Sequence, residues 1–282
     1  MTLYKNSIEL NDLSLGKPTE YCSEYNPNLL QGVPRSLNRD GLGIKANDLK
    51  FNGEDVWYGY ELSWLNNKGK PIVAVAEFRF DCTSPNIVES KSFKLYLNSF
   101  NQSKFASWDE VQERLTQDLS QTAGSQARVA LFKVDECPPL NITPISAKCI
   151  DDIDVTIDTY DITPSLLTLA NNNITVKNKS LVSHLLKSNC LITNQPDWAS
   201  VYITYSGAEI DEASLLSYLI SFRQHNEFHE QCVERIFTDL MNAFTPEKLT
   251  VFARYTRRGG LDINPFRTTE NAIAPCLRTL RQ

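Results

Sequence analysis

The sequence predicts an α+β fold of antiparallel strands with a few helices, laid out as two modules in tandem. Three observations lead there. First, two runs rich in aromatic and β-branched residues, 57–65 (WYGYELSWL) and 71–82 (PIVAVAEFRFDC), flank the turn Asn66-Asn67-Lys68-Gly69-Lys70. Partial alternation around a Gly-containing turn is the pattern of an antiparallel pair with one packed face. Second, an amphipathic stretch at 108–123 ends at Gly124 and is followed by a further strand-like run, 126–134. Third, the order strand pair, helical region, strand recurs in the second half without residue-by-residue identity, so duplication explains the chain better than a single large barrel.

Taken in order, residues 1–55 read as an N-terminal extension packing on the core, with 15–46 as extended chain and turns. Tyr21, Tyr25, Trp57, Tyr58 and Tyr60 are candidates for an aromatic packing wall. Residues 56–140 form the first module. Within it 89–100 (ESKSFKLYLNSF) reads as an irregular helix, and Ser107 with Glu110 three positions on is a capping box for the helix over 108–123. Residues 141–180, next to Pro138-Pro139 and holding an acidic run (DDIDVTID, 151–158) and Asn171-Asn172-Asn173, form a connecting region with local strands whose carboxylates face solvent. Residues 181–282 form the second module. Its strand candidates are 181–192 and 200–208. Asp211 caps a helix over 212–222, a longer helix runs over 226–244, and Pro246 opens the exit into a last strand ending in Arg257-Arg258-Gly259-Gly260.

Composition narrows the function classes. There are 28 Lys plus Arg against 34 Asp plus Glu, a net charge of −6, which argues against broad binding to nucleic-acid backbones. Seven cysteines, an odd number without CxxC spacing, point to reduced thiols and a cytoplasmic protein, not a disulfide scaffold. The start lacks the basic-then-apolar pattern of a secretory signal, and no apolar stretch reaches membrane-spanning length.

Chemistry concentrates at 187–198 (KSNCLITNQPDW). Cys190 lies in an apolar, strand-like run, and the Gln195-Pro196-Asp197 step breaks helix or central strand, because proline lacks an amide hydrogen. The chain can thus bring a carboxylate back beside a sulfur. Either Cys190 is a nucleophile with Asp197 as its proton acceptor and donor, a role favouring a carboxylate of raised proton affinity, or it is an inert buried thiol. Trp198 would exclude water from such a site or belong to the core. His225, His229 and Cys232 stand four and three positions apart; they form either a zinc-binding helix face or a solvated helix segment. Glu89, Ser90, Lys91 and Lys94 suit either an anionic ligand with an amine or a plain amphipathic helix. Arg257 to Gly260 suits phosphate contact.

Three stretches together carry a resemblance. ESKSFKLY (Glu89–Tyr96), Cys190 to Trp198, and Phe228-His229-Glu230 resemble the motifs of the long, two-module NADPH-dependent 7-cyano-7-deazaguanine reductases, in the same order across nearly the whole chain. Leu191 follows the cysteine where many short relatives carry proline. The resemblance implies tandem tunnelling-fold modules, antiparallel sheets with paired helices on one face, and a homodimer. It implies reduction of a nitrile to an aminomethyl group in queuosine biosynthesis, with two NADPH per turnover and no essential metal, membrane or direct nucleic-acid substrate. It makes Cys190 the nucleophile and Asp197 the proton donor, with His229 orienting substrate and assisting proton transfer. Val88, Glu89, Ser90, Phe228, His229 and Glu230 become substrate-binding, and Ser90, Lys91, Arg258 and Gly259 cofactor-binding. A nucleobase-binding module without activity and a zinc-dependent cyclohydrolase are the competing classes.

Overall fold

The computed structural model describes residues 21–136, 140–142, 145–171 and 173–282. Residues 1–20, Cys137, Pro138, Pro139 and Asn172 of the readings above lie outside the described residues. In chain order the strands are β1 (Gly32–Pro34), β2 (Asn52–Leu65), β3 (Pro71–Asp81), β4 (Asn86–Val88), β5 (Arg128–Phe132), β6 (Lys148–Cys149), β7 (Thr175–Ser183), β8 (Lys187–Asn189), β9 (Pro196–Ala208), β10 (Lys248–Tyr255) and β11 (Leu261–Thr268). The α-helices are α1 (Ser36–Arg39), α2 (Ser90–Ser99), α3 (Trp108–Ala123), α4 (Glu212–Ile220) and α5 (His229–Phe244). Among the described residues no helix is long and apolar enough to cross a membrane.

One nine-stranded sheet carries both halves, in the order β5-β3-β2-β11-β10-β9-β7-β6 with β8 paired to β9. Every pairing in it is antiparallel except β6 with β7. The turn at 66–70 closes as its sequence suggests: Gly69 takes φ 77°, and Asn66 Oδ1 accepts from the amides of Lys68 and Lys70. The halves meet where β2 pairs β11, from Leu261 opposite Gly59 to Thr268 opposite Asn52.

Register shows where the helices sit. Trp57 lies opposite Ile263, and Val251 opposite Arg267. Facing residues share a side and residues two apart return to it. Trp57, Ile263, Arg267 and Val251 therefore line one face. On that face Trp57, Phe78 and Ile263 pack with Phe93, Tyr96 and Leu115 of α2 and α3. Val201, Ile203 and Val251 pack there with Leu216, Val233, Ile236 and Phe237 of α4 and α5. The other face holds Val56, Tyr58, Tyr202, Phe252 and Phe266. Trp57 and Tyr58 thus point to opposite sides, and Tyr21 is exposed while Tyr25 meets Tyr96, Phe100 and Phe105 edge-on. The pleat parts Trp57 from Tyr58, so the five aromatics expected as one wall do not form one.

Helix ends follow their chemistry. Ser107 Oγ accepts from the Glu110 amide, Glu110 reaches back to the Ala106 amide, and Gly124 closes the helix at φ 71°. Asp211 caps α4, which stops at Ile220 and tightens into a 3-10 turn at Ser221–Gln224. α5 begins at His229, three residues later than the helical reading from Asn226. The expected strand over 181–192 is broken: β7 ends at Ser183, β8 is Lys187–Asn189, and 191–193 is turn. Pro196 does not end extended structure; it is the first residue of β9, where a missing amide is tolerated.

The N-terminal segment is more than a cover. α1 and its flank insert Arg35 and Arg39 behind the sheet, both buried. Arg39 donates to Glu234 of α5, Arg35 to Asp55, and Arg267 joins Asp55 and Glu234 at 2.8 Å each. Removing one member of such a buried set costs about 3–5 kcal/mol, because its partners remain charged without water. Glu234→Gln, which keeps volume and removes charge, is expected to lower unfolding free energy by about 3 kcal/mol in urea titration; a loss within the range of a surface substitution would contradict this.

Candidate active site

A cleft of about 490 Å³ opens between the N-termini of α2 and α5, with Trp57, Leu261 and Ile263 of the sheet in its wall. It gathers Val88, Ser90, Lys91, Lys94, Cys190, Asp197, Phe228, His229, Glu230 and Arg258. Most of the residues singled out in sequence therefore meet, from segments up to about 170 positions apart.

Cys190 reaches the cleft through a short loop. β8 pairs β9 with Ser188 opposite Asp197, and the loop is closed by Cys190 N–H to Gln195 O at 2.8 Å and Asn194 N–H to Cys190 O at 3.1 Å. Asn194 supplies the left-handed residue at φ 55°. Leu191 is buried with Val33, Ile87 and Phe228, anchoring the loop beside the half-buried thiol. Burial is thus taken up by the neighbour, and the sulfur is left at the cleft.

Asp197 is almost fully buried, which by itself raises its proton affinity, yet its pKa is lowered. His229 Nε2 at 3.5 Å and an Arg258 guanidinium hydrogen bond, both to Oδ1, hold it ionised. The raised proton affinity expected for this carboxylate is therefore not met here; its two partners outweigh burial. Arg258 also donates to Gln195, and its side chain is one-third exposed. His229 meets the Tyr255 ring edge-on at 4.1 Å.

The two glutamates differ sharply. Glu89 is the N-cap of α2, its oxygens accepting from the Lys91 and Ser92 amides at 2.7 Å each, and it does not line the cleft. Burial raises its pKa against the pull of those amides. Glu230, in the first turn of α5, is buried and pushed up to about 7, by burial first and then by the Asp55 charge. Lys94, also in the cleft wall, is pushed down by burial and by Arg258.

Other expected placements fail for visible reasons. Trp198 follows Asp197 on β9 and so faces the other way, 36% exposed with Arg223 over its ring. His225 precedes α5 and pairs with Glu227 at 3.2 Å, while Cys232 is sealed in the core, so His225, His229 and Cys232 form no shared helix face. Gly259 does not line the cleft; at φ 57° it makes room for Lys94, whose Cδ would lie 2.9 Å from an added Cβ. Arg257 stacks on Tyr60. Sequence reasoning missed Gln195, Tyr255 and Asp55. Gln195 was visible within the Cys190–Asp197 loop; no local pattern marks the other two.

A thiol, a paired carboxylate and a cationic rim in one cleft are groups an enzyme can use in catalysis. The comparisons give that class a family. Residues 21–131 match the family described as nitrile reductase, 7-cyano-7-deazaguanine-reductase N-term, and residues 196–273 match the QueF-like protein family. An NADPH-dependent 7-cyano-7-deazaguanine reductase of Colwellia psychrerythraea is 65% identical over 286 aligned positions, covering all of both chains. The chain belongs to the NADPH-dependent 7-cyano-7-deazaguanine reductase family. A solved structure, the archaeosine synthase QueF-Like in the apo form, aligns with 34% of this chain and 90% of its own at 15% identity and a TM-score of 0.29, too low to carry weight.

Glu230 gives a pH-dependent expectation. A carboxylate whose folded pKa is raised stabilises the fold fully below its unfolded value, and that contribution is lost as pH rises through about 7. Glu230→Gln is therefore expected to raise the melting temperature more at pH ~8 than at pH ~5. A melting-temperature difference independent of pH would refute the assignment.

Proposed function

We propose that this chain reduces the nitrile of 7-cyano-7-deazaguanine to the aminomethyl group of 7-aminomethyl-7-deazaguanine, in queuosine biosynthesis, through a covalent thioimide on Cys190. The observation that carries the reading is the convergence of Cys190, Asp197 and Arg258 on one cleft, in a chain 65% identical end to end to a reductase of that name.

The residues suit a substrate with a planar, donor-rich edge. Glu230 offers a buried carboxylate beside Phe228, whose ring stacks on the base, while Val88 and Ser90 close the wall from the α2 side. Glu89 reads the same edge once its carboxylate turns from the Lys91 and Ser92 amides. The rim cations Lys91, Lys94 and Arg258 fit an anionic dinucleotide, and Ser90 and Gly259 lie next to them in sequence. When bound, NADPH supplies the two hydrides that the four-electron reduction requires.

The chain's own groups manage sulfur and protons. Asp197, held ionised, accepts the Cys190 thiol proton as sulfur bonds to the nitrile carbon, and the nitrile nitrogen takes up a proton to give the C=N thioimide. After the first reduction the carbon–sulfur bond breaks, leaving an imine and a thiolate that recovers its proton. The second reduction, with one more proton to nitrogen, gives the amine. His229, beside Asp197 at 3.5 Å, orients the substrate and relays protons. Trp57, Phe228 and Ile263 limit water around the imine.

Intact-mass measurement after mixing with the nitrile alone is expected to show one adduct of substrate mass, absent in Cys190→Ala, and the amine should appear only when NADPH is added. Asp197→Asn is expected to lower turnover roughly 10²–10⁴-fold. Amine formation at the ordinary rate by Cys190→Ala would overturn the mechanism.

The same proposal takes the halves as two tunnelling-fold modules, divided as the sequence divides them, and the working unit as a homodimer in the cytoplasm. Helices on one face of the sheet and edge strands at β5 and β6 support the modules and the pairing; six free cysteines among the described residues support a reducing compartment. Sedimentation of this 32.0 kDa chain as a monomer at working concentration would count against the dimer.

A further inference from the structure

On the sheet edge away from the cleft lining, three groups of different chemistry converge. Cys149 ends β6, Asp151 lies two residues on, and His184 follows β7 directly. A thiol sulfur, a carboxylate oxygen and an imidazole nitrogen from these three all lie within 4.8 Å of one another. The β6–β7 register, Cys149 opposite Val182, brings the sulfur alongside the end of β7.

We propose that Cys149, Asp151 and His184 bind one divalent cation of zinc-like chemistry, pinning the connecting region to the edge of the sheet. Thiolate, imidazole and carboxylate together suit zinc and not the hard, all-oxygen cations. Three protein ligands leave a fourth, tetrahedral position to water.

Two further observations support a built site. Asp151 Oδ2 accepts from the His184 amide at 2.9 Å, which fixes the carboxylate against the imidazole, while Oδ1 is buried without a hydrogen bond. Leaving such an acceptor dry is unfavourable, and a cation would satisfy it. The His184 ring is itself held, with Nδ1 2.8 Å from Ser200 Oγ on β9; partners of this kind fix the ring orientation of a metal-binding histidine. A cavity of about 380 Å³, lined by Cys149, Val182, His184 and Tyr202, gives an approach from solvent. None of the three residues lines the active cleft, so the ion is structural and takes no part in nitrile reduction.

The test is a titration of the full chain with Zn²⁺ alone against a chromophoric chelator, and with Co²⁺ as a spectroscopic probe. The expected result is one ion per chain with a sulfur-to-cobalt absorption that persists in Cys190→Ala and vanishes in Cys149→Ser. Cys149 is exposed, so its serine variant should fold; circular dichroism checks that. Asp151→Asn and His184→Ala are expected to weaken binding by at least about tenfold, and Ser200→Ala by about 10–100-fold. Failure of the unaltered chain to bind, or equal binding by Cys149→Ser, would overturn the site. Loss of the absorption in Cys190→Ala with its retention in Cys149→Ser would assign the ion to the active-site thiol and equally overturn it.

Discussion

Arg267 is buried in the middle of the molecule with Asp55 on one side and Glu234 on the other, each at 2.8 Å. The three come from β11, β2 and α5, and Arg35 and Arg39 of the N-terminal segment close the set. Such a network adds little net stability compared with a well-packed apolar core, but it tolerates few alternative arrangements. It fixes three things at once: the pairing of the last strand with the first long one, the rotation of α5, and the seat of the N-terminal segment. Glu230 lies four residues before Glu234, one turn up the same helix face. The rotation that satisfies Glu234 therefore also points Glu230 toward the cleft, and the Asp55 carboxylate that pairs with Arg267 raises the proton affinity of Glu230. One group of charges thus sets both the strand pairing and the surroundings of Glu230.

Asp197 illustrates a second balance. Burial pushes this carboxylate toward its neutral form, and His229 with Arg258 pushes it the other way and wins. Of the two, His229 lowers the proton affinity of Asp197 more, and Arg258 is the more exposed partner. Arg258 is one-third exposed, sits at the turn before Gly259 and Gly260, and also donates to Gln195. An anion at the rim competes for the same guanidinium. As that pairing weakens, burial is opposed by His229 alone and the proton affinity of Asp197 rises. In the proposed mechanism an ionised carboxylate suits uptake of a proton and a neutral one its return, and the Arg258 contact shifts Asp197 between these tendencies.

Much of this was legible before any coordinates. The hairpin at 66–70, the caps at Ser107 and Asp211, and the antiparallel α+β layout follow from local chemistry and period-two patterning, which need only neighbouring residues. The Cys190–Asp197 loop was legible because proline and a carboxylate within eight positions constrain the chain by themselves. What could not be read depends on register. Trp198 was a candidate to cover the site, but one residue along a strand reverses direction. Of the aromatics that looked like one surface, Trp57 and Tyr58 are divided by the same rule. The zinc reading of His225, His229 and Cys232 needs a helix that starts four residues before the one that forms. Asp55, Arg35 and Tyr255 carried no signal, because their roles arise from pairings between segments far apart in the chain.

The cleft also explains why neither half suffices alone. α2 presents its N-terminus from the first half and α5 from the second, and the N-terminus of a helix offers unpaired amides and a partial positive charge. Both carry a glutamate there, yet the first half spends its carboxylate on its own amides through Glu89, while the second leaves Glu230 facing the cleft wall, with its charge opposed by burial and Asp55. Sulfur and acid come only from the second half; Lys91 and Lys94 come only from the first. The β2–β11 ladder is what holds these two incomplete sets together. The two helix N-termini at the cleft thus differ, one closed by its own glutamate cap and one with its glutamate in the cleft lining.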